Sequence, residues 1–427
     1  ADISEPSDAH NPDRDGDGIF DGIELLRGTD PDVPDPLVHW SVPGDVSNIQ
    51  QALFFSRSGQ TITVAEGTYY ENLLFPGHNI TLTGTDPNDP ATVAATIISG
   101  DTDRDPLTNS GRVVNLTGNE DEACQIRGLT ITAGRTKRAG GGIHGHGSHA
   151  TIRNCTITGN VAYFGAGLVY CDGPISNCTI SANMASYTGG GLGYCDGSIR
   201  NCTIIANVAK VDGGGLHQCD GLISNCIIWA NIQDGDFPFS RCTAPMFSCV
   251  QGGWPRTTIT EADQQPDDPN GNPRDVPNDK ALAAIEVPAT GSINLYSDPC
   301  FVDPGRWVDA NDLNMLVDPS DPNALWVDGD YHLKSQGWRW DANSGRWTYD
   351  NVTSPCIDAG DPAAPLGDEP LTIPEDLDNT HGRNLRINMG VYGGTAQASI
   401  PPHDWALHAD YSNDGTVNST DFACWSY

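Results

Sequence analysis

The chain has 427 residues, enough for one extended domain with small appendages. Its 22 basic and 56 acidic residues give a formal net charge of −34, which argues against nucleic acid and anionic membranes as partners and favours divalent cations. No stretch reaches the roughly 20 consecutive apolar residues that a transmembrane helix needs. The 48 glycines and 30 prolines, with only 37% hydrophobic residues, are typical of a turn-rich β architecture.

The first predicted element is an acidic loop within residues 1–40, with the sequence "DRDGDGIFDGIE" at 13–24. It carries a ligand at positions one, three, five, seven, nine and twelve of an EF-hand loop, with Gly18 at the sharp turn. The sequence therefore predicts a Ca²⁺ site. The trailing "LLRGTDPDVPD" makes the segment similar to thrombospondin type 3 repeats, and Asp30 and Asp32 are candidates for a second ion. The predicted ligands are Asp13, Asp15, Asp17, the Ile19 carbonyl, Asp21 and Glu24.

The next predicted elements are a helix and the start of a repeat. Apolar residues at helical spacing in "DVSNIQQALFFSR" predict a helix over 49–57, and alternating residues from 60 to 84 predict short strands. Segments that begin at Ile126, Ile152, Ile175, Ile199 and Ile223 then align at spacings of 26, 23, 24 and 24. Four columns recur in this alignment: Cys155, Cys178, Cys202 and Cys226; Asn160, Asn183, Asn207 and Asn231; Gly142, Gly167, Gly191 and Gly215; and Cys171, Cys195 and Cys219, with Cys242 one residue early.

A period near 24 with strand-type residues predicts a solenoid whose coils stack about 4.8 Å apart. In that arrangement like residues stack on like residues. The cysteines act as small core hydrophobes, the asparagines form an amide ladder, and the glycines allow positive φ or close backbone approach. Disulfides along a column are possible, but the coil spacing exceeds the Cβ separation of about 3.8 Å that a disulfide prefers. Buried free thiols are the expected state.

These repeats resemble those of right-handed parallel β-helix proteins. The "NxAxxxGGGL" pattern is similar to repeats of adhesin-like and polymorphic outer-membrane proteins, and the architecture resembles the pectate-lyase-like superfamily. The resemblance implies an all-β, right-handed parallel β-helix (solenoid), to which the terminal motifs add small calcium-binding, EF-hand-like loops at both termini. It covers about residues 60–253, or about eight coils, within a predicted domain at 41–253 that includes the capping helix.

The period is lost after residue 253. Residues 254–405 are predicted to form an irregular continuation and cap, and "SPCIDAGDP…NLRINMGVYGGTAQAS" resembles the closing segment of secreted bacterial β-helix proteins. Residues 406–427 contain "DYSNDGTVNSTD", which resembles the first half of a dockerin, although serine replaces the usual Asn at position three and no second loop precedes Tyr427. The resemblance implies calcium binding and a cohesin-like partner. The predicted ligands are Asp410, Ser412, Asp414, the Thr416 carbonyl, Asn418 and Asp421.

Three other groups of residues carry two interpretations each. The histidines of "GIHGHGSHA" could bind zinc or copper, or form an exposed turn. The aspartates of the "CDG" corners could hold calcium or cap turns, and the tryptophans of "GWRWDANSGRW" could stack on sugars or pack the cap. These residues are His144, His146 and His149; Asp172, Asp196 and Asp220; and Trp338, Trp340 and Trp347.

The functional expectation is an extracellular, calcium-stabilised β-helix with a structural, adhesive or fibre-forming role, because no matched catalytic constellation is found. Self-association and contact with the cell envelope or polysaccharide are the expected interactions. Secretion is expected because calcium loops suit an extracellular setting and the chain begins at Ala1, as exported proteins do after processing. The alternative is a polysaccharide lyase or glycoside hydrolase on the same scaffold, and a further alternative is a cohesin-docking scaffold subunit.

Overall fold

A computed structural model describes residues 13–15, 21–27, 29–33, 39–102, 111–232, 239–251, 294–372, 383–402 and 405. Its main body is a right-handed parallel β-helix of about eight coils, as predicted from the repeat. The first sheet consists of His39–Val42, Thr61–Val64, Thr81–Gly84, Gln125–Arg127, Thr151–Arg153, Ile175–Ser176, Ile199–Arg200 and Ile223–Ser224.

Two further parallel sheets complete the coils, and a short fourth sheet lies at one corner. The second sheet consists of Gly67–Tyr70, Thr96–Ser99, Thr130–Thr132, Thr156–Thr158, Thr179–Ser181, Thr203–Ile205, Ile227–Trp229 and Cys249–Val250. The third consists of Leu73–Leu74, Val114–Asn115, Ile143–Ser148, Leu168–Cys171, Leu192–Gly193, Leu216–His217 and Phe239–Ser240. The fourth consists of Val161–Ala162, Met184–Ala185 and Val208–Ala209.

The predicted register is confirmed residue by residue. The isoleucines that open the five aligned segments are direct parallel partners from one coil to the next. Each of them is fully buried, because alternate side chains of a strand face opposite sides and these point into the core. The repeat period therefore sets both the stacking and the identity of the inward face.

The two cysteine columns form two inner rows. Each member is at most 4% exposed, and all twelve cysteines in the described residues are free thiols. In the first row Cys178 Sγ donates to the Ser176 carbonyl over 3.2 Å and also interacts with the Cys202 thiol of the next coil. In the second row Cys242 stands in register after all, since its Sγ accepts from the Cys219 amide over 3.4 Å. The coil between Cys219 and Cys242 is 23 residues long, one shorter than the two before it, and this explains why Cys242 comes one residue early in the sequence.

The predicted asparagine ladder is present; Asn160, Asn183 and Asn207 are fully buried, and Asn231 at its end is partly buried. Asn183 Nδ2 donates to Asn207 Oδ1 over 2.9 Å, and the same oxygen accepts the Asn183 backbone amide over 3.0 Å. Asn207 Nδ2 in turn donates to Asn231 Oδ1 over 2.9 Å and to the Ile180 carbonyl over 2.8 Å. Each amide thus satisfies polar groups of three coils, which removes the cost of burying them.

The glycine triplets divide two tasks between them. The first glycine of a triplet takes positive φ, as Gly189 does at 65°. The third leaves room for the next coil, since a Cβ on Gly191 would lie 2.6 Å from the Gly215 carbonyl oxygen. Close approach, and not positive φ, therefore selects glycine in the aligned column.

Three helices occur in the described residues: Asp21–Arg27, Ile49–Phe55 and Pro90–Ala95. The second covers the first coil as predicted but ends at Phe55; Asn48 caps its N-terminus, and Ile49, Ala52 and Leu53 are its buried residues. No helix in this part of the chain is long and apolar enough to cross a membrane.

The region after residue 293 departs from the coiled pattern. Its strands pair antiparallel: Phe301–Asp303 with Asp330–Leu333, Arg306–Asp309 with both Asp312–Leu316 and Ala324–Val327, and Arg339–Asp341 with Arg346–Thr348. This region was expected to continue the β-helix irregularly; Leu295 still pairs parallel with Cys249, and two of the later antiparallel pairs are hairpins. Short loops joining adjacent strands favour antiparallel pairs, because a parallel pair needs a long crossover.

Residues 354–372 and 383–400, which we call the closing block, pack back onto the side of the β-helix. They bind a corner column of asparagines that takes positive φ, a conformation that asparagine tolerates well. Asn177 Nδ2 donates to the Gly393 carbonyl over 2.7 Å, and Asn225 Oδ1 accepts the Asp361 amide over 2.7 Å. This column is therefore a docking edge for the chain's own C-terminal region.

Candidate functional site

The N-terminal acidic loop is described in part. Asp13, Asp15, Asp21 and Glu24 lie in the described residues, and Asp17 and Ile19 lie outside them. Asp21 and Glu24 are fully buried. Burying charge without compensation is costly, and Arg14 supplies that compensation for Asp21.

The basic residues around this loop engage two of its acids. Arg14 donates to Asp21 from its backbone amide over 2.9 Å and from Nε over 2.8 Å, and these bonds lower the pKa of Asp21. Asp13 Oδ2 accepts from Arg57 over 3.2 Å, whereas Asp13 Oδ1 is buried with no hydrogen-bond partner. Within the described residues no group of three or more His, Cys, Asp or Glu is gathered that could hold a metal. The Asp13–Arg57 contact ties the loop to the chain just after the capping helix.

The other predicted calcium ligands have different outcomes. Asp30 Oδ1 accepts the Asp32 amide over 3.1 Å, so Asp30 caps a turn. Asp32 forms an ion pair with Arg14 at 3.4 Å. The C-terminal loop lies wholly outside the described residues, and its calcium site stays a prediction. Its members are Asp410, Ser412, Asp414, Thr416, Asn418 and Asp421.

The three histidines do not form one cluster. The His144 and His146 rings lie 3.9 Å apart, but His149 hydrogen-bonds the Asp172 carbonyl at 3.3 Å. His144 is only 5% exposed, and burial lowers its pKa to about 2, so its imidazole is neutral. The pair is accordingly a packed aromatic contact on the third sheet.

The aspartate ladder of the "CDG" corners links neighbouring coils. Asp172 Oδ1 accepts the Asp196 amide over 3.2 Å, and Asp196 Oδ1 accepts the Asp220 amide over 3.3 Å. These bonds favour the turn-capping interpretation over a calcium ladder.

An aromatic strip on the outer surface was not anticipated from the sequence. Tyr170 and Tyr194 lie 5.2 Å apart on consecutive coils, and both hold positive φ, which bulky residues rarely adopt. Phe164 packs 5.6 Å from Tyr194, and Tyr163 stacks on Tyr187 at 5.2 Å with an interplanar angle of 4°. The tyrosine that precedes each of two "CDG" corners was the available signal.

The tryptophans of the cap pack against neighbouring aromatic residues. Trp340 faces Trp347 across a hairpin at 5.8 Å, and Trp338 contacts Tyr349 at 5.6 Å. Aromatic cross-strand pairs of this kind stabilise small hairpins. The packing interpretation therefore accounts for their positions.

A polar groove of about 590 Å³ separates the β-helix from the closing block. Two of its acids serve as caps: Asp89 accepts amides at the start of the third helix, and Asp86 accepts the Asn88 amide over 3.0 Å. The groove can hold water or sugar hydroxyls, but its capping carboxylates are engaged. Other lining residues are Arg153, Asn154, Thr156, Thr179, Tyr392, Thr395 and Gln397.

Residues 107–248 match the protein family described as "Right handed beta helix region". No curated protein sequence matches the chain. Among solved structures, pectin methylesterase from Aspergillus niger in deglycosylated form is 19% identical, with a TM-score of 0.33, over 52% of this chain and 78% of that chain. The same enzyme in penultimately deglycosylated form is 21% identical, with a TM-score of 0.32, over 51% and 76%. At these TM-scores the likeness supports no conclusion about activity, and the match together with the stacked sheets establishes a right-handed parallel β-helix as the main body of the chain.

Proposed function

We propose that the protein is an extracellular, calcium-stabilised β-helix with a structural, adhesive or fibre-forming role at the cell surface. The observation that carries the proposal is that the repeated polar columns are engaged between coils. The asparagines form a ladder, the corner aspartates cap the next coil, and a second asparagine column docks the closing block. A surface built this way suits a rigid spacer.

The calcium part of the proposal rests on the N-terminal loop. Glu24 is fully buried at the position that closes an EF-hand shell, and Asp13 presents a buried oxygen without a partner. A bound ion would neutralise these carboxylates and order the segment next to the capped end of the solenoid. Self-association through ordered termini would then depend on calcium.

We expect calcium to raise the melting temperature of chelator-treated protein, because an ion that binds only the folded state stabilises it. The gain is about 2.7 kcal/mol when free calcium is 100 times the Kd. Glu24→Gln should abolish most of the shift, and the exposed Glu66→Gln should retain it. Equal shifts in calorimetric melts of both variants would remove Glu24 from the site.

Electron microscopy of the native protein with and without a chelator tests the assembly role. Filaments or end-to-end rods that separate on chelation are the expected result. Single rods of one length under both conditions would contradict self-association.

The second candidate function, a polysaccharide lyase or glycoside hydrolase, is favoured by two separate surface features, the polar groove beside the closing block and the aromatic strip by the third sheet. Cleavage of acidic glycans by monodisperse rods would support it over the structural role. The cohesin-docking alternative depends on residues 406–427 and would require binding to a cohesin domain that is lost on their removal.

A further inference from the structure

Three cysteines lie where the last coil meets the closing block. Cys249 and Cys356 are both fully buried and belong to one core cluster, and their thiols interact directly. Cys300 is partly exposed and close enough to interact electrostatically with the thiols of Cys249 and Cys356. This set stands apart from the two inner rows.

Hydrogen bonds hold the three segments together. Ser354 Oγ donates to the Pro299 carbonyl over 2.6 Å and accepts the Cys356 amide over 3.1 Å. The backbone of Cys249 pairs with that of Leu295 in an isolated parallel β-bridge, and Leu295 lies five residues before Cys300. The thiols are therefore presented by a packed interface between separate parts of the chain.

The geometry of this set differs from that of the rows. Row cysteines are in register, so the coil spacing of about 4.8 Å separates their Cβ atoms by more than a disulfide prefers. Within the described residues Cys249 and Cys356 are not partners in any sheet, and 107 positions separate them in the sequence. No strand ladder holds their Cβ atoms apart.

We propose that Cys249 and Cys356 form a disulfide when the protein meets a small-molecule disulfide oxidant such as oxidised glutathione, and that Cys300 is the thiol through which oxidation enters. The bond would fasten the closing block to the solenoid. It would also constrain the unfolded chain over a long loop, which is the main way a disulfide stabilises.

The exchange balances in three steps. The Cys300 thiolate attacks oxidised glutathione, releases one glutathione thiolate and forms a mixed disulfide. The Cys249 thiolate attacks Cys300 Sγ and releases the second glutathione. The Cys356 thiolate then attacks Cys249 Sγ and releases Cys300 as a thiolate, so two protein thiols are oxidised and two glutathione thiols are produced. Burial raises the pKa of Cys356, so the reaction should accelerate with pH.

The test is peptide mapping of the full chain without reducing agent, after incubation with oxidised glutathione and alkylation. We expect one bond, Cys249–Cys356, with the other 11 of the 13 cysteines alkylated after denaturation. The melting temperature should rise by several degrees, and Cys356→Ser should prevent the rise. Cys300→Ser should slow bond formation at least tenfold, whereas Cys202→Ser, in an inner row, should leave its rate unchanged.

Wild-type mapping decides the outcome even if a variant fails to fold. Alkylation of both Cys249 and Cys356 after oxidation, or bonds along the inner rows instead, would overturn the assignment. An unchanged rate in Cys300→Ser would overturn the entry role of that thiol.

Discussion

Asn207→Ala is expected to lower the free energy of unfolding by several kcal/mol. The side chain accepts both the backbone and side-chain amides of Asn183, and it donates to Ile180 and Asn231. Alanine would leave these groups without their partner inside a closed corner, and each buried polar group left unsatisfied costs about 1–3 kcal/mol. Denaturant unfolding followed by circular dichroism measures the loss.

The matched control is Lys210→Ala, three residues along the same coil, because Lys210 is exposed. Its effect should stay within about 0.5 kcal/mol, the usual range for surface substitutions. If Asn207→Ala cost no more than this control, the ladder would not be a source of stability.

Glu369→Gln is expected to remove most of the loss of stability between pH 4.5 and 8. Glu369 is only 6% exposed; its Oε1 accepts the Asn388 and Gly394 amides over 2.7 and 2.8 Å, and its Oε2 is buried without a partner. Burial raises the pKa of this carboxyl from 4.5 to about 8, with a smaller contribution from Asp358. The folded protein therefore holds the proton more tightly than the unfolded chain does.

This raised pKa makes the folded state lose stability as the pH increases. The stabilisation is complete below pH 4.5, where both states are protonated, and it is lost as the pH rises through about 8. At about 1.4 kcal/mol per pKa unit, the loss amounts to a few kcal/mol. Glutamine stays neutral, so the variant should be the more stable protein at pH 9.

Unfolding free energies measured from pH 4 to 9 check this prediction, with the exposed Glu66→Gln as the control. Some slope should persist in Glu369→Gln, because burial also raises the pKa of Asp358 to about 6. Parallel profiles for the wild type and Glu369→Gln would contradict the assignment.

The register of the coils could be predicted closely because the same residue types recur at a fixed spacing in the sequence. Ile175 and Ile199 occupy the same place in successive segments, so one argument places the whole column. The asparagine ladder follows from the same logic, since a polar residue repeated at a buried position needs a partner of its own kind. The N-terminal calcium ligands were equally accessible as a local pattern, although their binding of calcium stays a prediction.

Features that join distant segments could not be predicted in this way. The contact of Asn177 with Gly393 spans 216 residues, and nothing in either local sequence indicates the other. The antiparallel hairpins after residue 300, the groove and the cluster of Cys249, Cys300 and Cys356 share this origin. The positive φ of Tyr170 and Tyr194 was also hidden, because a corner's backbone angles depend on the coils above and below it.

The sequence by itself determined that this protein is a stacked β-helix, which residues face its core and which of them pair between coils. A repeat places the same side chain at the same height in every coil, so stacking needs no further information. Only the tertiary structure decided how the closing block covers the solenoid and which buried acids and thiols it brings together. Those contacts are non-repeating, and their positions depend on packing between segments that are remote in the chain.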